Sequence, residues 1–184
     1  MERILFVLGI LEDEDIDWLV GAGYRQEVAS GEVLIQEGEP NAAIYLILSG
    51  CFVVSASRAS LIEIARLLRG EVVGEMSFID HLPPSATVTA TEASVVLAIN
   101  RGTLEQKLSQ DLGFAYRWYR ALAMLLSTRL RDTVRHLEGP RQQSASAETE
   151  RFAPDMADNM KLGEIRFDWL MRRLRDIDMH NWET

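Results

Sequence analysis

Short apolar runs broken by glycine and polar turns fill the first hundred residues, and long stripes of helical spacing fill the remainder. The segments Tyr24–Val28, Glu32–Gln36, Ile44–Leu48 and Phe52–Ala56 are separated by Ser30-Gly31, by Gly38-Glu39-Pro40-Asn41 and by Ser49-Gly50. Runs of this length, punctuated in this way, predict a small antiparallel barrel or sandwich. Leu61–Leu68 continues the sheet, with the polar Ser55–Ser60 stretch as an exposed hairpin tip. Val95–Ile99 is apolar at every position, the pattern of a strand buried on both faces.

Helices flank this β region. Leu5-Phe6-Val7-Leu8 reads as a hydrophobic anchor, and Glu12-Asp13-Glu14-Asp15 as an acidic first turn that complements a helix dipole. Ile16, Leu19 and Val20 follow at helical spacing, and Gly21-Ala22-Gly23 stops the helix. Past the strands, Arg101-Gly102-Thr103 opens a short helix over Leu104–Ser109, and Asp111 caps or begins a longer one. Tyr116, Tyr119, Leu122, Ala123, Leu126, Leu130, Val134 and Leu137 form a stripe on the long helix that must be buried, against a second copy or against the chain's own barrel. Glu138-Gly139-Pro140 ends it.

Residues 139–160 are polar and read as a linker, and residues 161–184 as an amphipathic tail helix. In the tail, Phe167, Leu170, Met171, Leu174 and Ile177 share one face in the pattern of a helix that lies in a partner's groove. The expected fold is therefore α+β and mainly β: a small antiparallel barrel or jelly roll flanked by helices, with a long C-terminal helix and an extra tail helix.

The stretch Gly70–Thr91 carries the chemistry. A β-like run turns at Gly74, a short segment Glu75-Met76-Ser77-Phe78-Ile79 follows, and Pro83-Pro84 leads into the alternating strand Ala86–Ala90. Glycine reaches the backbone angles of a tight strand-to-helix turn that a Cβ forbids. Amides at such a helix start are unpaired and attract anions, and the two prolines keep the next approach extended.

This stretch resembles the phosphate-binding cassette of the cyclic-nucleotide-binding domain, the sensor of catabolite activator proteins and kinase regulatory subunits. Gly74, Glu75, Met76 and Ser77 match the front of the family pattern, and Ser85, Ala86, Thr87 and Val88 its back. The resemblance extends over about residues 5–138. It implies that Glu75 accepts a hydrogen bond from a ribose hydroxyl, and that backbone amides and an arginine hold the cyclic phosphate. It also implies a helix before the barrel that moves on ligand binding, where the residues alone equally allow one packed permanently. For the long helix it implies pairing with a twin.

Pro84 stands where the family has its phosphate-binding arginine. A charge-assisted contact of that kind contributes about 1.5–3 kcal/mol, so its loss weakens phosphate-led binding roughly ten- to several-hundred-fold. The expected ligand residues are Gly74, Glu75, Met76, Ser77, Ser85, Ala86 and Thr87, with a cyclic nucleotide held weakly or not at all and no cofactor. The reading is thus a regulatory sensor module with a degenerate site. The alternative is a ligand-free interaction subunit that docks through residues 161–184.

Composition narrows the classes further. Hydrophobic residues make up 47% and charged residues 26%, as in ordinary globular proteins. The net charge is −9, and only residues 101–138 are basic, with 7 basic to 4 acidic side chains, so a nucleic-acid partner is not expected. About 45 residues follow the long helix, too few for a linker and a winged helix-turn-helix together.

No apolar run approaches the ~20 residues of a membrane span, and the single Cys51 suits a reducing cytoplasm. His81, His136 and His180 are scattered, so no metal site is expected. Asp13, Asp15 and Asp17 lack the glycine and glutamate of a calcium loop. No nucleophile elbow is present, and no catalytic residue is assigned. Expected partners are a second copy through residues 116–137, or a larger complex through 161–184.

Overall fold

The computed structural model describes residues 6–56, 62–138 and 154–180. Two short helices, α1 (Phe6–Ile10) and α2 (Asp13–Ala22), precede eight strands. These are β1 (Tyr24–Val28), β2 (Val33–Ile35), β3 (Ala43–Ser49), β4 (Cys51–Ala56), β5 (Ile62–Leu68), β6 (Val72–Val73), β7 (Thr87–Ala90) and β8 (Ser94–Asn100). Helix α3 (Glu75–Asp80) lies between β6 and β7, and α4 (Arg101–Gln110), α5 (Leu112–Glu138) and α6 (Pro154–His180) follow β8. The strands form two four-stranded antiparallel sheets, ordered β1-β8-β3-β6 and β2-β7-β4-β5. The expected β-rich α+β fold is present, as a sandwich.

Alternation along the strands divides the core in two. In β3, Ile47 faces the second sheet while Ile44, Leu46 and Leu48 face the helices, and in β8 Val96 opposes Leu97 and Ile99 in the same way. This is why Val95–Ile99 reads as continuously apolar: one face meets a sheet, the other a helical layer. The helical layer contains Leu8 of α1, Leu11 just after it, Ile16 of α2, Leu104 of α4, and Phe114, Trp118 and Leu122 of α5. Asn100 caps α4, its Oδ1 accepting from the Gly102 (2.9 Å) and Thr103 (3.3 Å) amides.

The tail departs from expectation in two ways. Helix α6 starts at Pro154, so the last part of the expected linker is helical, while the expected hairpin tip at 57–60 and the rest of the linker lie outside the described residues. More important, the apolar face of α6 is already covered. Phe167 and Leu170 are fully buried and Leu174 nearly so, in one cluster with α1 and α2. Met171 packs at its edge, and the Ile177 side chain lies outside the described residues.

The physical reason for this docking is the apolar surface of α1 and α2, whose Val7, Leu8, Ile16 and Leu19 share one buried cluster with Phe167, Leu170 and Leu174. Arg166 holds the seam by donating to Asp13 Oδ1 (2.9 Å) and to the Leu8 and Gly9 carbonyls (3.3 and 3.2 Å). Arg173 donates to Asp17 (2.7 Å). A Cβ on Gly9 would lie 1.9 Å from the Asn159 carbonyl oxygen, so glycine is what lets α6 approach.

Candidate functional site

Gly74 turns the chain from β6 into α3 with φ of +90°, and a Cβ there would also meet Asn41 Nδ2 at 2.7 Å and the Ala43 carbonyl at 2.9 Å. Conformation and space both require glycine. The turn buries the Glu75 side chain, which faces a cavity of about 820 Å³. The cavity lies between the sandwich and the second half of α5. Its sheet wall includes Ile35, Val54, Leu67 and Val88, the cassette adds Gly74–Ser77 and Pro84–Ala86, and α5 adds Leu125, Leu126 and Thr128 through Leu130.

Arg129 of α5 crosses to the cassette. Its Nη1 donates to Glu75 Oε1 and its Nη2 to the Val72 carbonyl (2.6 Å), while Glu71 Oε2 stands 3.6 Å from Nη2. Two carboxyl groups thus share one guanidinium at one end of a mainly apolar space, whose other polar lining includes Ser77, Ser85, Thr128, Asp132 and Thr133. Burial pushes the Glu71 carboxyl up to about 7, against the opposing pull of Arg129. The other arginine of the wall, Arg66 on β5, is held bidentately by Glu63 (2.7 and 3.1 Å). Pro84 lies in the wall, and its carbonyl accepts from the Gly38 amide (2.9 Å).

Residues 25–111, from β1 to the end of α4, match the sequence model of the family described as the cyclic nucleotide-binding domain. The match takes in the strands of the sandwich together with α3 and α4, just under half of the chain. The chain is similar to a cGMP-dependent protein kinase of Eimeria tenella, at 35% identity over 83 residues, 45% of this chain and 8% of the relative. It is also similar to a cAMP-dependent protein kinase regulatory subunit of Blastocladiella emersonii, at 28% identity over 118 residues, 63% of this chain and 29% of the relative. Among solved structures, a cyclic nucleotide-binding domain from Methylobacillus flagellatus superposes with a TM-score of 0.67 at 25% identity. That match covers 73% of this chain and 80% of the other. The matches cover less than a third of either kinase-related protein.

Within the matched stretch, Gly74, Glu75, Met76, Ser77, Ser85 and Ala86 all line one cavity. Thr87 does not. It sits on the opposite side of the β7 pleat from Val88, and its Oγ1 accepts from Gln36 Nε2 (3.2 Å) and the Glu37 amide (3.1 Å). Helix α3 is six residues long, and the carboxylate in its first turn is its own Glu75.

Glu71, Arg66 and the α5 residues were not anticipated from the sequence. Arg129 had a readable signal: it lies four residues after Leu125 and seven after Leu122, a charge on the buried face of an amphipathic helix. Among the described residues, no three His, Cys, Asp or Glu side chains are placed to hold a metal, and no helix is long and apolar enough to cross a membrane.

Proposed function

We propose that this domain is a non-catalytic regulatory sensor in which a small molecule in the cavity acts on α5 through the Arg129–Glu75 pair. The observation that carries this reading is the position of Arg129. It belongs to the helix that would transmit a signal, yet it holds the glutamate to which the family resemblance gives ligand contact. A ligand that engages Glu75 competes with Arg129 and so shifts the equilibrium of α5, the differential interaction that a switch requires. With Pro84 in place of the family arginine, the phosphate of a cyclic nucleotide meets no cation from the cassette, so the site reads as degenerate. Solubility in the cytoplasm and a homodimer built on the exposed stripe of α5 complete the proposal. The alternative of a subunit docking through residues 161–184 loses its motive, because that face is taken up by α1 and α2.

The test uses Pro84→Arg. The wild type is expected to bind cyclic AMP and cyclic GMP no tighter than roughly millimolar, and the variant ten- to several-hundred-fold more tightly by calorimetry. Nucleotide bound to the variant should change amide exchange over residues 125–134 of α5. Micromolar binding by the wild type removes the degenerate site. Binding by the variant with no response in α5 removes the sensor.

A further inference from the structure

We propose that the natural occupant of this cavity is a predominantly apolar small molecule that carries no negative charge. The proposal rests on reading the cavity as the ligand site of the sensor, and it names the chemistry that site accepts.

Three features of the wall support it. The first is composition: Ile35, Val54, Leu67, Val88, Leu125 and Leu126 present aliphatic surface, and among the described residues no aromatic ring lines the space for a base to stack on. The second is the mouth. Ile64 is 58% exposed, Met76 52% and Leu130 65%, so the rim itself is apolar and gains by being covered.

The third feature is charge. Arg129 is committed to the buried Glu75 and the Val72 carbonyl, whereas Arg66 is paired with Glu63 by two hydrogen bonds at the exposed surface of β5. An anion that recruited Arg129 would leave Glu75, almost entirely out of water, without its counter-charge, which is the costly way to break a buried pair. Glu71, whose carboxyl burial pushes up to about 7, stands at the same end and adds its negative charge only as the pH rises through that value. A phosphate or carboxylate ligand therefore meets repulsion and desolvation where a non-anionic one loses nothing, and the aliphatic wall rewards apolar area.

The experiment uses the full chain and the neutral fluorescent probe N-phenyl-1-naphthylamine. Saturable enhancement is expected, with octan-1-ol displacing the probe at concentrations at least about tenfold below octanoate, and with cyclic AMP and cyclic GMP displacing none. Ile64→Arg, placed at the exposed mouth, should weaken the probe about tenfold and reverse the order of octanol and octanoate. Should that variant lose its thermal transition, Met76→Arg at the same rim serves instead.

Absence of saturable binding overturns the proposal. So does octanoate competing as well as octanol, and so does probe affinity unchanged by the rim arginine. Its failure is separable from that of the sensor reading. Octanol binding in the stated order without any change of exchange in α5 supports the ligand class and removes the sensor. A Pro84→Arg domain that answers nucleotide through α5 keeps the sensor even where octanol fails.

Discussion

Arg117 of α5 grips Asp15 of α2 with two hydrogen bonds, Nε to Oδ2 at 2.6 Å and Nη2 to Oδ1 at 2.8 Å, across 102 positions of sequence. Asp15 is buried, and its Oδ2 also accepts from the Glu12 amide (2.7 Å), so one carboxylate caps α2 and fastens it to the long helix. Removing it leaves a guanidinium short of its partner and a helix start short of its cap. Asp15→Ala is expected to cost about 2–4 kcal/mol, less than for a fully buried pair because Arg117 keeps some contact with solvent. A urea midpoint that falls with an unchanged slope is the expected reading. A loss below about 0.5 kcal/mol would mean the pair is screened like a surface contact.

Glu71 gives the domain a pH dependence with a definite sign. Burial raises its carboxyl from 4.5 to about 7, so the folded state holds a proton that the unfolded chain releases. Its stabilising contribution is complete below about pH 4.5 and is lost as pH rises through 7. Glu71→Gln fixes the side chain in a neutral form. The difference in unfolding free energy, wild type minus variant, should therefore fall by about 2–3 kcal/mol between pH 4.5 and pH 8. A difference that is flat over this range would place Glu71 in contact with water.

How far these relationships were legible in the sequence depends on their range. Gly74 announces its positive φ, and the alternation through Val88 and Ala90 announces the inner face of β7, because both are set within a few residues. The covered stripe of α6 was legible as a stripe but not as to its cover. Phe167 and Leu170 state that they will be buried, whereas the cover is fixed by Gly9 and by the match of Arg166 to Asp13, more than 150 positions away. Arg129 is the same case at the site: its partners Val72 and Glu75 become neighbours only once α5 crosses the cassette. Thr87 was misplaced for a smaller reason. One step along a pleat exchanges cavity wall for the opposite face.

The docking of α6 makes it part of the domain's core. Phe167 is fully buried, and Arg69 lies 4.8 Å above its ring. Phe167→Ala is expected to cost about 3–5 kcal/mol. Gly9→Val should destabilise too, by about 1–3 kcal/mol or more, since its side chain meets the α6 backbone. Thermal unfolding of both variants checks this. A wild-type melting temperature in both would show that α6 stands apart from α1.

The outer face of α5 is where self-association should occur. Leu112, Tyr116, Tyr119, Ala123, Leu126 and Leu130 recur at alternating spacings of four and three, and all but the half-buried Leu126 are exposed. An apolar seam of that period suits a parallel twin helix. Leu126 and Leu130 also line the cavity, so charges placed there would disturb two functions at once. Tyr116 and Tyr119 do not line it. The double change Tyr116→Glu, Tyr119→Glu sets two carboxylates in each half of the seam and should convert a dimer to a monomer by light scattering at tens of micromolar, with several kcal/mol of association lost. Because both side chains already face solvent in the single chain, the melting temperature of the monomer should stay within a few degrees of wild type. A wild type that is monomeric at that concentration removes the twin-helix arrangement and leaves the stripe to a different protein.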